Sequence, residues 1–278
     1  MLVFFIYYRN HREIRKGAPV ITLVMLIGVT GMSIALLILC LGQTDATCPI
    51  VLYFYRLSLV LLFVGLLVKN YRIYKIFTNK TANALVITEA RLLSFIGIVF
   101  LIFVILLTLI VAVLGYQAVV KQSSKDEYYQ YVQCAIPNKT WNDIIQISLQ
   151  VFQAIPLIAS LILAWLTRGI KAEYTESREL AAFATTVFTS MIIFLPLDFT
   201  LTDESQAEIL RYVLYVEFLS IIIIAAFSLL FAPKIYAVYK YEKNLKRSNI
   251  IERPNRIMST ISDMNNDNND QIFEENNN

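Results

Sequence analysis

Few side chains here could do chemistry. One histidine and three cysteines are the only imidazole and thiols among 278 residues. His11 stands in a basic stretch with no HExxH, no Gly-rich phosphate loop and no Cys/His cluster. No zinc site or phosphate cradle can be built from that set. An intramembrane protease would need paired acids, or Ser with His, at matching depth. Asp143 and Asp198 each stand near the end of an apolar stretch, and no second helix offers an acid at the same depth. The reading is a non-enzyme without a cofactor. What remains is thiol oxidation, at Cys48 and Cys134, and charge held in apolar surroundings, at Arg56 and Glu217.

The elements that must carry these residues are membrane spans. Hydrophobic residues make up 57% of the chain and charged ones 16%, against about a quarter charged in a soluble domain. Six apolar stretches, 19–42, 48–69, 93–116, 143–166, 181–200 and 209–233, reach or approach the roughly 20 residues of a spanning helix. Lipid offers the backbone no hydrogen-bond partners, and the alternation of a membrane barrel is absent, so the spans are helices. Residues 1–8 are apolar too, but eight helical residues cover only about 12 Å. They read as the inner end of a helix whose start is missing, or as a short interfacial segment. The expected fold is all-α: a seven-helix bundle with the first helix truncated and six complete spans, over 9–233.

Charge sets the orientation. Segments 9–18, 69–92, 168–180 and 234–256 hold 19 Lys and Arg, whereas loops 43–47, 117–142 and 201–208 hold three. The positive-inside rule makes the first set, and the C-terminus, cytoplasmic. Residues 234–262 read as a basic juxtamembrane segment on the inner leaflet, and the Asn-rich, acidic 263–278 as a disordered tail. Cys48 and Cys134 then face an oxidising compartment, where they either form a disulfide or stay as two thiols; being the only outer pair favours the bridge. Cys40, inside a span, reads as an inert buried thiol. Asn138-Lys139-Thr140 is an outer glycosylation sequon, and Asn79-Lys80-Thr81 an inner one that should stay silent. Arg56 lies about 12 Å from the outer end of its helix, and Glu217 falls in the outer half of the last span. Their depths allow an ion pair; the alternative is that each snorkels or faces a small-molecule cavity alone.

These landmarks resemble the seven-helix domain of class C G-protein-coupled receptors, the GABA-B type more than the metabotropic glutamate type. Cys48 with Lys69-Asn70-Tyr71-Arg72-Ile73-Tyr74-Lys75-Ile76-Phe77 is similar to the family's third helix. Phe231-Ala232-Pro233-Lys234 resembles the close of the seventh, where Pro233 and Lys234 are the motif residues. Thr167-Arg168 and Thr175-Glu176-Ser177-Arg178 resemble the third inner loop, and the Cys134 loop with Trp141 the second outer loop. The likeness runs from residue 1 to about 245. The glutamate-type tryptophan is replaced by Ile192-Ile193-Phe194, and Arg56 stands where the family usually has a small or apolar residue.

The resemblance implies the Cys48–Cys134 bridge again. It also implies an inner ionic lock between Lys69 and Glu176, and G-protein contacts from Arg72, Lys75, Lys80, Arg91, Arg168 and Lys171. The implied partners are a heterotrimeric G protein, a second class C chain and the lipid bilayer of the plasma membrane, with no nucleic acid. The expected function is coupling of extracellular ligand binding to a G protein by helix rearrangement. The rivals are a six-helix transporter or channel, which lacks support from any internal repeat, and a non-signalling receptor fragment acting as a membrane scaffold.

Overall fold

The computed structural model describes Phe5, Tyr7, residues 18–40, 44–78, 89–122, 130–167, 175–200 and 207–241, and Lys243. Its helices are α1 (Pro19–Cys40), α2 (Thr47–Thr78), α3 (Glu89–Leu114), α4 (Lys139–Leu166), α5 (Thr175–Thr200) and α6 (Ala207–Ala225). A π-helix, Ala226–Phe231, continues α6. Strands β1 (Gln117–Gln122) and β2 (Gln130–Ala135) form an antiparallel hairpin between α3 and α4. The chain divides into two units, Met1–Ala232 and Pro233–Asn278. In the second, residues 233–241 are helical.

Among the described residues, six helices are long and apolar enough to cross a membrane. In hydrocarbon a helix satisfies all its backbone groups internally, and these segments carry few side chains that could compete. Burial is uneven among them. Of the most apolar window of α2, 61% is buried, against 22% for α3. So α2 is the central strut of the first unit, and α3 lies at its margin with Leu101, Ile102, Ile105 and Leu109 exposed.

Close backbone approach fixes α1 on α2. A Cβ at Gly28 would lie 2.9 Å from the Ser58 carbonyl oxygen, and one at Gly31 would meet the Ser58 hydroxyl. The backbone oxygen leaves no room for a methyl group, so Gly28 sets this spacing. Tyr212 Oη donates to the Leu39 carbonyl at 3.2 Å, tying α6 to α1. Phe5 is buried, with its ring edge-on to Phe231 at 6.5 Å.

Two features depart from the sequence reading. First, α2 runs to Thr78, well past the end of its apolar stretch at residue 69. Hydropathy ends at the lipid boundary, whereas helical hydrogen bonding continues through Asn70–Thr78. Second, Cys40 is exposed at the last position of α1, not buried. The long outer loop 117–142, expected to be partly structured, holds the β-hairpin, preceded by Gly115, whose positive φ of 66° suits a residue without a Cβ.

Candidate functional site

Eight polar or charged residues are buried among the described residues: Thr22, Arg56, Ser58, Lys69, Asn70, Gln153, Ser160 and Thr167. Four belong to α2, and three belong to α4 or its C-cap. An apolar bundle concentrates polar groups where they bond one another, so the α2–α4 seam is the candidate site.

The seam has three layers. At one end, Cys48 and Cys134 are joined as a disulfide, with Cα atoms 5.4 Å apart. The hairpin is tied down twice more. Ala118 N–H donates to Asp45 Oδ1 at 3.1 Å, and Ile136 N–H donates to Asn142 Oδ1 at 3.2 Å. Asn138 caps α4, its Oδ1 accepting from the Thr140 and Trp141 amides at 3.1 and 3.4 Å. A cap of this kind satisfies amides that the first helical turn leaves open.

The middle layer centres on Arg56, 4% exposed. Its Nη1 donates to Gln153 Oε1 at 2.9 Å, and its Nη2 donates to Gln146 Oε1. Gln153 Nε2 returns a bond to the Arg56 carbonyl at 3.1 Å. The guanidinium carbon lies 5.1 Å from the centre of the Tyr55 ring. Tyr55 meets Tyr215 edge-on at 5.0 Å.

At the far end, Asn70 Nδ2 donates to Ser160 Oγ at 2.7 Å and to the Ser160 carbonyl at 3.3 Å. Lys69 is buried beside it. Arg72, one helical step further on, forms an ion pair with Glu89 of α3 at 3.3 Å. The partners Arg56–Gln146/Gln153 and Asn70–Ser160 rise together along both chains, so α2 and α4 run parallel.

The sequence-predicted residues fare differently. Cys48 and Cys134 come together as a bridge. Arg56 and Glu217 do not pair. Glu217 is exposed on α6, while its neighbours Phe218 and Leu219 turn inward. Depth along an axis had matched, but the direction in which the helix presents the side chain does not. Lys69 is buried where the apolar stretch of α2 closes, nine residues before the helix ends, and Glu176 lies on the opening turn of α5, with its side chain outside the described residues. Arg72 and Lys75 are half-buried and Arg91 is exposed, whereas Lys80, Arg168 and Lys171 lie outside the described residues, as do His11 and Asn79.

Gln146, Gln153, Ser160 and Thr167 were missed, although their signal is plain. They recur every seven residues through an apolar run, which places them on one helical stripe. That stripe holds the buried residues Leu149, Gln153, Leu157, Ser160 and Ala164 of α4.

Comparison with known proteins identifies the bundle. Residues 1–234 match the family described as "7 transmembrane sweet-taste receptor of 3 GCPR". The chain belongs to the class C G-protein-coupled receptor family. Metabotropic glutamate receptor-like protein M of Dictyostelium discoideum is 26% identical over 245 residues, covering 87% of this chain and 32% of that one. Metabotropic glutamate receptor-like protein N is 25% identical over 85% of this chain and 26% of its own length. Protein H of the same series is 22% identical over 94% and 34%. The chain therefore spans about a quarter to a third of the length of the curated relatives it matches. It is an integral membrane protein carrying a class C receptor signalling domain, and this family is one of receptors, not enzymes.

Proposed function

We propose that this class C domain couples extracellular ligand binding to a heterotrimeric G protein by moving helices at the Lys69 end of α2. The observation that carries the reading is the burial of Lys69 on α2, a helix that touches α5, on whose first turn Glu176 stands. A buried ammonium needs a partner, and an acid on the neighbouring helix would hold the closed state. Separation of the two helices would open a cleft for the G protein, for which Arg72, Lys75, Lys80, Arg91, Arg168 and Lys171 are the proposed contacts. The excess of basic residues at this end, and at the C-terminus, supports a cytoplasmic orientation. In that orientation the disulfide and Asn138 face outward, at the plasma membrane. A GABA-B-like subtype rests on the Lys69-x-x-Arg72 and Phe231-Ala-Pro233-Lys234 motifs. A second class C chain is the proposed partner.

The test is Lys69→Ala and Glu176→Ala in the receptor as expressed in its cell. A lock worth about 1–2 kcal/mol shifts a two-state equilibrium by about 5–30-fold. Ligand-independent G-protein activation at matched surface expression should rise accordingly. Unchanged basal activity in both variants would sink the lock. A glycan on Asn138 and none on Asn79 checks the orientation; the reverse pattern overturns it.

A further inference from the structure

Arg56 carries a full charge in apolar surroundings, and its bonds do not neutralise it. Arginine is a fixed cation in proteins. Its hydrogen-bond partners, Gln146 and Gln153, are neutral amides, and Tyr55 turns a ring face to it. Among the described residues no carboxylate pairs with it, and Glu217, the one acid at similar depth, is exposed on α6. Arg56 Nε is also buried without a hydrogen-bond partner. A buried cation missing both its counter-charge and one of its bonds is costly, and amide dipoles recover only part of that cost.

We propose that Arg56 binds a small monovalent anion, a halide or a short carboxylate. The anion would accept from Nε and sit against the guanidinium between α2 and α4. The two glutamines fit this role. Gln153 is buried and bonds both the Arg56 side chain and its backbone carbonyl, so it fixes the guanidinium plane. Gln146 is only half-buried and lies seven residues nearer the disulfide, which makes that side the approach. Its amide can bond Nη2 through the oxygen, and turned over it would present two N–H donors to the same anion. The inference stands apart from G-protein coupling, because its readout is the stability of the isolated chain.

The experiment uses the whole chain in lipid nanodiscs, melted in sodium chloride, sodium acetate or sodium gluconate at one sodium concentration. Gluconate is too bulky for a site between packed helices. Chloride or acetate, well above its dissociation constant, should raise Tm by roughly 2–4 °C or more over gluconate. The pair distinguishes halide from carboxylate. R56Q should lose the dependence. Q146E places a carboxylate on Nη2 and supplies the counter-charge internally, so it should melt above wild type in gluconate and ignore the anion. Because Q146E adds a partner, it remains informative where R56Q does not fold. Equal melting of the wild-type chain in all three salts overturns the proposal, as does an undiminished anion shift in Q146E.

Discussion

The two ends of α2 are held by different chemistry. At the Cys48 end a covalent bond, two side-chain-to-amide bonds and a helix cap fasten hairpin, loop and α4 together. At the Lys69 end, the described residues join α2 to its neighbours by non-covalent contacts, among them Asn70 with Ser160 and Arg72 with Glu89. A disulfide survives thermal opening, whereas single polar contacts exchange in a motion of a few kcal/mol. A bundle so built keeps one end of its strut as a fixed reference and leaves the other able to move.

The largest effect should come from breaking the fixed end. Cys48→Ser or Cys134→Ser frees a loop closed by residues 86 apart, and loss of a native bridge of this kind costs about 2–5 kcal/mol. Surface expression and Tm should both drop sharply, equally in the single and double variants. A double variant markedly worse than either single would mean the cysteines act separately. At the opposite end, Asn70→Ala removes the donor to buried Ser160 and should cost about 1–3 kcal/mol. Ser160→Ala should cost less, because its carbonyl remains as an acceptor at 3.3 Å. If both leave melting unchanged, the polar layer does not hold the helices. The smallest effect is expected at Arg72, where the pair with Glu89 is partly exposed. Arg72→Glu should shift stability by about 1 kcal/mol or less, and the exchange Arg72→Glu with Glu89→Arg should restore it. Failure of the exchange to recover anything would show that Arg72 acts elsewhere.

The contrast also explains what the sequence made legible. Six apolar stretches became six helices because spanning length and hydropathy are enforced by lipid alone. The Cys48–Cys134 bridge was readable from compartment and count, since the candidate pairs were few. The partners of Arg56 were not reached through depth, because depth leaves rotation about the helix axis undetermined. Glu217 matched in height and faces the wrong way. The seven-residue spacing of Gln146, Gln153, Ser160 and Thr167 carries the rotation, and it gives the α2–α4 seam once it is read as a stripe. The close fit of Gly28 and Gly31 on Ser58 lay beyond reach, because a scattered glycine in a span signals nothing until its neighbour is known.

The π-helix at Ala226–Phe231 has a bearing on how this receptor's last span was made. The Ala232 amide reaches back to the Phe227 carbonyl, five residues away in place of four. Such a turn holds one residue more than an α-helix needs over the same length. It is a register shift, absorbed locally: the residues after it are turned by about a quarter circle from where an unbroken α-helix would set them. Leu230 and Phe231 are buried under that shifted phase, and Phe231 meets Phe5 there. The span thus has a spare residue at one known place, where a single deletion would wind the π-turn back to α and leave the residues beyond it on the faces they now hold.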